Sequence, residues 1–176
     1  QITALYCVPT LLATLDREIP SLETLIVGGE ACPKDLVDRW SRPGRRMLNT
    51  YGPTETTVTA TWCELFPGRN VTIGRPMPGY RTYVVDENLK AVPHGASGEI
   101  VIGGAGVAQG YVNRPELTAA KFVIDPFDKR PGARMYRSGD LGRFTEEGEI
   151  EFLGRIDSQV KIRGFRIELG EIEAVI

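Results

Sequence analysis

The chain has 176 residues, 41% of them hydrophobic and 25% charged, with a formal net charge of -2. That composition supports a buried core and excludes disorder as the main state, and the near-neutral charge provides no long-range positive field to gather nucleic acid or anionic lipid. Cys7, Cys32 and Cys63 are odd in number and form no C-x-x-C pair, which argues against a disulfide framework or zinc site and for a cytoplasmic setting.

No apolar run approaches the roughly 20 residues of a membrane span, so neither a membrane nor a nucleic acid is expected as a partner. Gln1 leads straight into an apolar run and the chain stops at Ile176 inside a helical pattern, as expected of a fragment.

In chain order, Leu11, Leu12 and Leu15 have helical spacing, and Leu25-Ile26-Val27 before Gly28-Gly29 reads as a buried strand ending at a turn. Pro33 suits the first turn of a helix whose apolar face is Leu36, Val37 and Trp40. Met47-Leu48 starts a strand that breaks at Tyr51-Gly52-Pro53. Strand and helix alternating at this spacing predict a mostly parallel α/β sheet over residues 1–68.

From about Val71 the pattern changes to short strands with frequent Gly and Pro. Tyr83-Val84-Val85 and the run from Glu99 to Ile102 read as a strand and its return, and Phe144 and Ile150 flank a turn at Glu146-Glu147-Gly148. Only Pro115 to Phe122 looks helical there. Residues 69–156 are therefore expected to form a small, antiparallel, barrel-like β unit. A third unit begins after Asp157, with Ile172, Val175 and Ile176 at helical spacing.

The strongest local signal is Asn49-Thr50-Tyr51-Gly52-Pro53-Thr54-Glu55-Thr56-Thr57, a strand end of the kind that binds ligands in open α/β sheets. Tyr51 offers a face for a planar base, Thr54 a donor for a phosphate, and Glu55 an oxygen ligand for a hard cation such as Mg2+. Taken alone, the segment reads first as a tight Gly-Pro turn with solvated polar neighbours. Gly104-Ala105-Gly106 does not continue into a dinucleotide fingerprint, because Gln109 stands where the third glycine is needed. His94, the only histidine, sits in a Pro93-His94-Gly95 turn, so no histidine-based triad is available.

Three further segments follow in order: Gly98-Glu99-Ile100-Val101-Ile102-Gly103-Gly104 to Gly110-Tyr111, then Tyr136-Arg137-Ser138-Gly139-Asp140-Leu141, then Gly154-Arg155-Ile156-Asp157 continuing through Arg163-Gly164 to Glu173. Together with the first, these resemble the ordered core motifs of nonribosomal peptide synthetase adenylation domains, within the adenylate-forming enzymes. The resemblance covers nearly the whole chain. Gln109 replaces the usual arginine before Gly110, and Ser138 the usual threonine, keeping the hydroxyl.

The resemblance implies ATP-dependent conversion of an amino acid to an aminoacyl adenylate and its transfer to the phosphopantetheine thiol of a peptidyl carrier protein among neighbouring synthetase domains. It implies an ATP site of Gly28, Gly29, Asn49, Tyr51, Thr54, Asp140, Phe152 and Arg155, with Thr54 and Glu55 catalytic and Glu55 the Mg2+ ligand. Asp140 would take the ribose hydroxyls and Arg155 ribose or phosphate oxygens. Tyr6, Ile26, Gly28, Thr50, Val58 and Thr59 would line the amino-acid pocket. Asp157 would be the hinge to a C-terminal lid that starts in residues 157–176, and Arg163 and Gly164 part of the loop lining the thiol channel. The family's phosphate loop and amine-binding aspartate would precede Gln1 and its catalytic lysine would follow Ile176, so the chain alone is expected to show little turnover. An acyl-CoA or aryl-acid ligase of the same superfamily, and a non-catalytic nucleotide- or carrier-binding module, are the competing expectations.

Overall fold

The computed structural model describes residues 1–162, 164–173 and 175–176. Strands β1 (Ala4–Cys7), β2 (Thr24–Gly28) and β3 (Arg46–Tyr51) pair in parallel, connected through α1 (Pro9–Thr14) and α2 (Lys34–Trp40). Pro9 opens α1, where its missing amide has no intrahelical partner to lose, and Pro33 is the N-cap of α2. Burial alternates along β2 and β3, so one face is packed. Leu25, Val27 and Met47 from that face meet Leu12, Leu36, Val37 and Trp40 from the helices in one core.

The parallel run ends at β3. A 3-10 turn over Thr54–Thr56 leads into β4 (Thr61–Glu64), which returns antiparallel to β3, because so short a connection cannot carry the crossover that parallel pairing needs. β5 (Arg75–Pro76) adds to β4, giving a mixed sheet ordered β1-β2-β3-β4-β5.

The second sheet is antiparallel. β6 (Tyr80–Val85) and β7 (Gly98–Gly104) form the expected strand and return, from Tyr80↔Gly104 to Val85↔Glu99. α3 (Pro115–Lys121) and β8 (Phe122–Ile124) precede β9 (Arg134–Phe144) and β10 (Ile150–Arg155), whose hairpin closes at the turn read from the sequence. The order is β10-β9-β7-β6, with β8 also on β9.

The two sheets are stitched at Gly74. Ile73 N donates to the Ile150 carbonyl (2.8 Å) and Ile150 N to that of Gly74 (3.0 Å). Tyr51, Ala60 and Ile73 then share a core with Ile100, Ile102 and Ile150, which holds the end of β3 against β7 and β10. Beyond β10, β11 (Val160–Ile162) and β12 (Phe165–Ile167) form a hairpin followed by α4 (Leu169–Glu173). The helix is shorter than the apolar spacing predicts, leaving Val175 and Ile176 outside it. Among the described residues no helix is long and apolar enough to cross a membrane.

Candidate functional site

Asp140 is the hub of the site. It is 2% exposed, and its two oxygens face different partners: Oδ2 accepts from the Tyr51 hydroxyl at 2.5 Å and Oδ1 from Arg155 Nη1 at 2.6 Å. Arg155 turns its other edge to Asp157, with Nε and Nη2 each 2.7 Å from a carboxylate oxygen, the two-pronged geometry a planar guanidinium favours. That fork holds the Asp157 carboxyl below its usual range. Burial pushes the Tyr51 phenol well above its ordinary value, and the Asp140 charge adds to the effect, so the hydroxyl remains a donor.

Local chemistry presents Asp140. The Ser138 hydroxyl donates to the Ile100 carbonyl (2.5 Å) and accepts from Asp140 N (3.0 Å), while Gly139 N donates to Glu99 Oε1 (3.1 Å). The hydroxyl at position 138 therefore holds the turn. Gly139 has φ +71°, and an added Cβ would lie 2.8 Å from Asp157 Oδ2 and 2.9 Å from Arg155 Nη2, so only glycine lets the pair approach.

Phe152 and Arg155 reach the site through a bulge in β10. Phe152 pairs with Gly142 and Arg155 with Asp140, with the register shift between Phe152 and Gly154. Three residues apart on a regular strand, they would face opposite ways; the extra residue at Leu153 restores them to one face. Phe152 stands with its ring centroid 6.4 Å from that of Tyr51, tilted by 43°. Both rings line a cleft with Gly29, Ala31, Asn49 and Thr72. Asn49 is buried, its amide donating to the Thr72 carbonyl at 2.7 Å.

A second recess, lined by Gly29, Thr54, Val58, Ser138, Asp140 and Arg155 among others, shares Gly29 and Gly52 with this cleft. Beside it Glu55 is 6% exposed. Its Oε1 accepts from Tyr111 Oη and Arg166 Nη1, both at 2.6 Å. Burial, the largest single influence, works to raise the Glu55 pKa, but these two hydrogen bonds, a backbone hydrogen bond and the Arg166 charge together leave the carboxyl below its ordinary value. Oε2 is buried without a hydrogen-bond partner among the described residues. An orphaned, ionised oxygen suits a hard cation, and Mg2+ takes few protein ligands, filling its shell with water and phosphate. Among the described residues there is no cluster of three or more metal-ligating side chains.

The residues expected to line the amino-acid pocket divide. Tyr6 pairs with Ile26 and Gly28 with Thr50 across β1 to β3, and by alternation all four lie on the face opposite the helix-packed core. Val58 and Thr59 lie on the turn before β4. Gly28 does not open a void: an added Cβ would lie 2.4 Å from Thr50 Oγ1, 2.9 Å from the Thr50 carbonyl and 3.1 Å from Tyr6 Oη. The missing side chain at Gly28 thus accommodates Thr50 and Tyr6. Arg163 lies outside the described residues. Gly164 lies on the connection between β11 and β12, at the edge of the second recess.

The sequence reading missed the partners of Glu55. Tyr111 and Arg166 stand inside the quoted motifs, yet no local pattern assigns them to a carboxylate 56 and 111 positions away. Tyr136, 3.3 Å from Tyr111 through their hydroxyls, extends this group.

The family model described as AMP-binding enzyme matches residues 1–112. A linear gramicidin synthase of Brevibacillus parabrevis is 56% identical over 98% of this chain and 2% of its own length. Delta-poly-L-ornithine synthetase of Acinetobacter baumannii is 50% identical over 100% of the chain and 13% of its own. The chain thus spans a small part of these curated relatives. Among solved structures, holo-PA1221, an NRPS protein with adenylation and PCP domains bound to a vinylsulfonamide inhibitor, superposes with a TM-score of 0.90 at 32% identity, covering 98% of this chain and 32% of that one. The chain belongs to the AMP-binding enzyme family, and its likeness to the adenylation domains of nonribosomal peptide synthetases holds in both sequence and fold.

Proposed function

We propose that the protein containing this chain activates an amino acid with ATP and passes it to a carrier-protein thiol. The substrate carboxylate attacks the α-phosphate, the bond to pyrophosphate breaks, and an aminoacyl adenylate forms; the carrier thiolate then attacks the acyl carbon and AMP leaves. The observation that carries this reading is the junction of Tyr51, Asp140 and Arg155 beside a cleft walled by Asn49 and Phe152. A carboxylate has about four lone-pair sites, so Asp140 keeps acceptor capacity for ribose hydroxyls while Tyr51 and Arg155 hold it still. Tyr51 and Phe152 present ring faces to the base.

Thr54, exposed beside the second recess, has a hydroxyl for a phosphate oxygen. Glu55 would hold Mg2+ through Oε2, and the ion would supply charge neutralisation at the triphosphate. The protein's part is positioning and preorganised charge. Tyr6, Ile26, Gly28, Thr50, Val58 and Thr59 offer hydroxyls and apolar surface but no charge, so a charged substrate side chain would need a partner outside these six. We take residues 1–68, 69–156 and 157–176 as three functional units, with Asp157 as the hinge and Gly164 near the thiol channel.

Amino-acid-dependent exchange of pyrophosphate into ATP by the full-length protein tests the reading. Exchange driven by an acyl or aryl acid instead of any amino acid would overturn it, and robust exchange by the 176-residue chain alone would overturn the assignment of essential groups outside it.

A further inference from the structure

Glu30, in the turn after β2, stands at the edge of the first cleft with no part assigned to it above, and its two oxygens serve two different units. Oε2 accepts from Thr10 Oγ1 at 2.8 Å and Thr10 N at 3.2 Å. Thr10 is in the first turn of α1, whose N-cap Val8 supplies no side-chain cap, so Glu30 satisfies an amide the helix leaves unpaired. Oε1 accepts from Gly164 N at 2.7 Å, across 134 positions. Gly164 has φ +79°, and an added Cβ would come 2.9 Å from Val8 Cγ1, so the β11–β12 connection lies against the start of α1. Two residues on, Arg166 reaches Glu55. The hairpin is thus pinned at two carboxylates, one of which is the proposed cation ligand.

We propose that Glu30 is a positioning residue, which docks the β11–β12 hairpin through Gly164 N and so sets Arg166 on Glu55. A guanidinium on Oε1 and a divalent cation on Oε2 oppose each other by charge repulsion. The docked hairpin therefore favours the state after pyrophosphate and its cation have left, which under the function proposed above is the thiol-transfer step. Loss of Glu30 slows that step more than adenylation.

The test uses the full-length protein with Glu30→Ala, Glu30→Gln and Thr10→Val. Hydrogen exchange in the peptide carrying Gly164 is expected to rise roughly tenfold in E30A, the scale of one charge-assisted hydrogen bond. E30Q, which keeps one acceptor oxygen, is expected to fall between E30A and the parent. T10V, which removes only the helix-side hydroxyl, should leave that peptide close to the parent. Loading of the carrier thiol in E30A should fall at least about fivefold more than pyrophosphate exchange.

Unchanged Gly164 protection in E30A, or an equal rise in T10V, would overturn the proposal, the second by reducing Glu30 to a helix cap. Equal losses in loading and exchange would also overturn it. Should no amino acid support exchange in the parent, the functional reading fails, and the hydrogen-exchange comparison still decides the docking.

Discussion

The Tyr51 hydroxyl donates to Asp140 Oδ2 across 2.5 Å, joining residues 89 positions apart on different sheets. The bond fixes a ring against a carboxylate, and Arg155 secures the same carboxylate from its other oxygen. Tyr51→Phe keeps the ring and removes the donor. Denaturation of the full-length protein should show a loss of about 1–3 kcal/mol, the cost of depriving a buried acceptor of its partner.

Asp140→Asn removes the charge that faces Arg155 and replaces one of the two acceptor oxygens, which hold Tyr51 and Arg155 and face the ribose, with an amide donor. Charge-assisted hydrogen bonds contribute about 1.5–3 kcal/mol each, so KM for ATP in pyrophosphate exchange should rise roughly 10- to 100-fold. Equal ATP saturation curves for variant and parent would remove Asp140 from the nucleotide site.

Gly28→Ala places a methyl 2.4 Å from Thr50 Oγ1. Overpacking of this kind costs about 1–3 kcal/mol. Thr50→Ala clears the hydroxyl but not the Thr50 carbonyl, so the double variant should recover part of the loss, a coupling that appears as non-additive unfolding midpoints.

Gly68 and Gly74 share φ +77° but not their surroundings: a Cβ at Gly68 meets nothing within 4 Å, whereas at Gly74 it would lie 1.9 Å from the Trp62 carbonyl oxygen. Gly68→Ala should cost about 1 kcal/mol, the backbone penalty alone. Gly74→Ala must displace the segment stitching the two sheets and should cost more than about 4 kcal/mol. Thermal unfolding of the two variants side by side measures the difference.

Glu55 gives the protein an acid sensitivity. Its carboxyl is held below the ordinary value of 4.5, the hydrogen bonds from Tyr111, Arg166 and the backbone and the Arg166 charge together offsetting burial, the largest single influence. A depressed folded-state value contributes stability that is complete above the ordinary value and is lost as pH falls through the folded one. As pH falls below the ordinary carboxylate value and through the lowered one, the parent should therefore lose more stability than Glu55→Gln. Parallel stability curves for the two proteins would contradict the assignment.

Much of the fold is legible along the chain. Pro33 with Leu36, Val37 and Trp40 marks α2 because a helix brings such positions to one face, and Glu146-Glu147-Gly148 marks the β9–β10 turn because a reversal needs a residue free to adopt positive φ, here Gly148 at +75°. The antiparallel return of β4 was less visible, since Thr61–Glu64 has no feature that distinguishes one strand direction from the other. In the site, motif resemblance picked out Tyr51, Asp140 and Arg155 individually. Local chemistry explains each as a turn or surface residue equally well.

Sequence alone determined what is local or periodic: which segments are strands and helices, where they break, and which residue types are offered at the breaks. Tertiary structure decided what depends on register and long separation. The bulge at Leu153 turns Phe152 and Arg155 to the same side, Gly28 takes Thr50 and Tyr6 against its bare backbone, and Glu55 and Glu30 find Arg166 and Gly164 across 111 and 134 positions. The physical reason is that a side chain's environment is set by whichever strand lies beside it, and that neighbour is chosen by the packing of the whole chain.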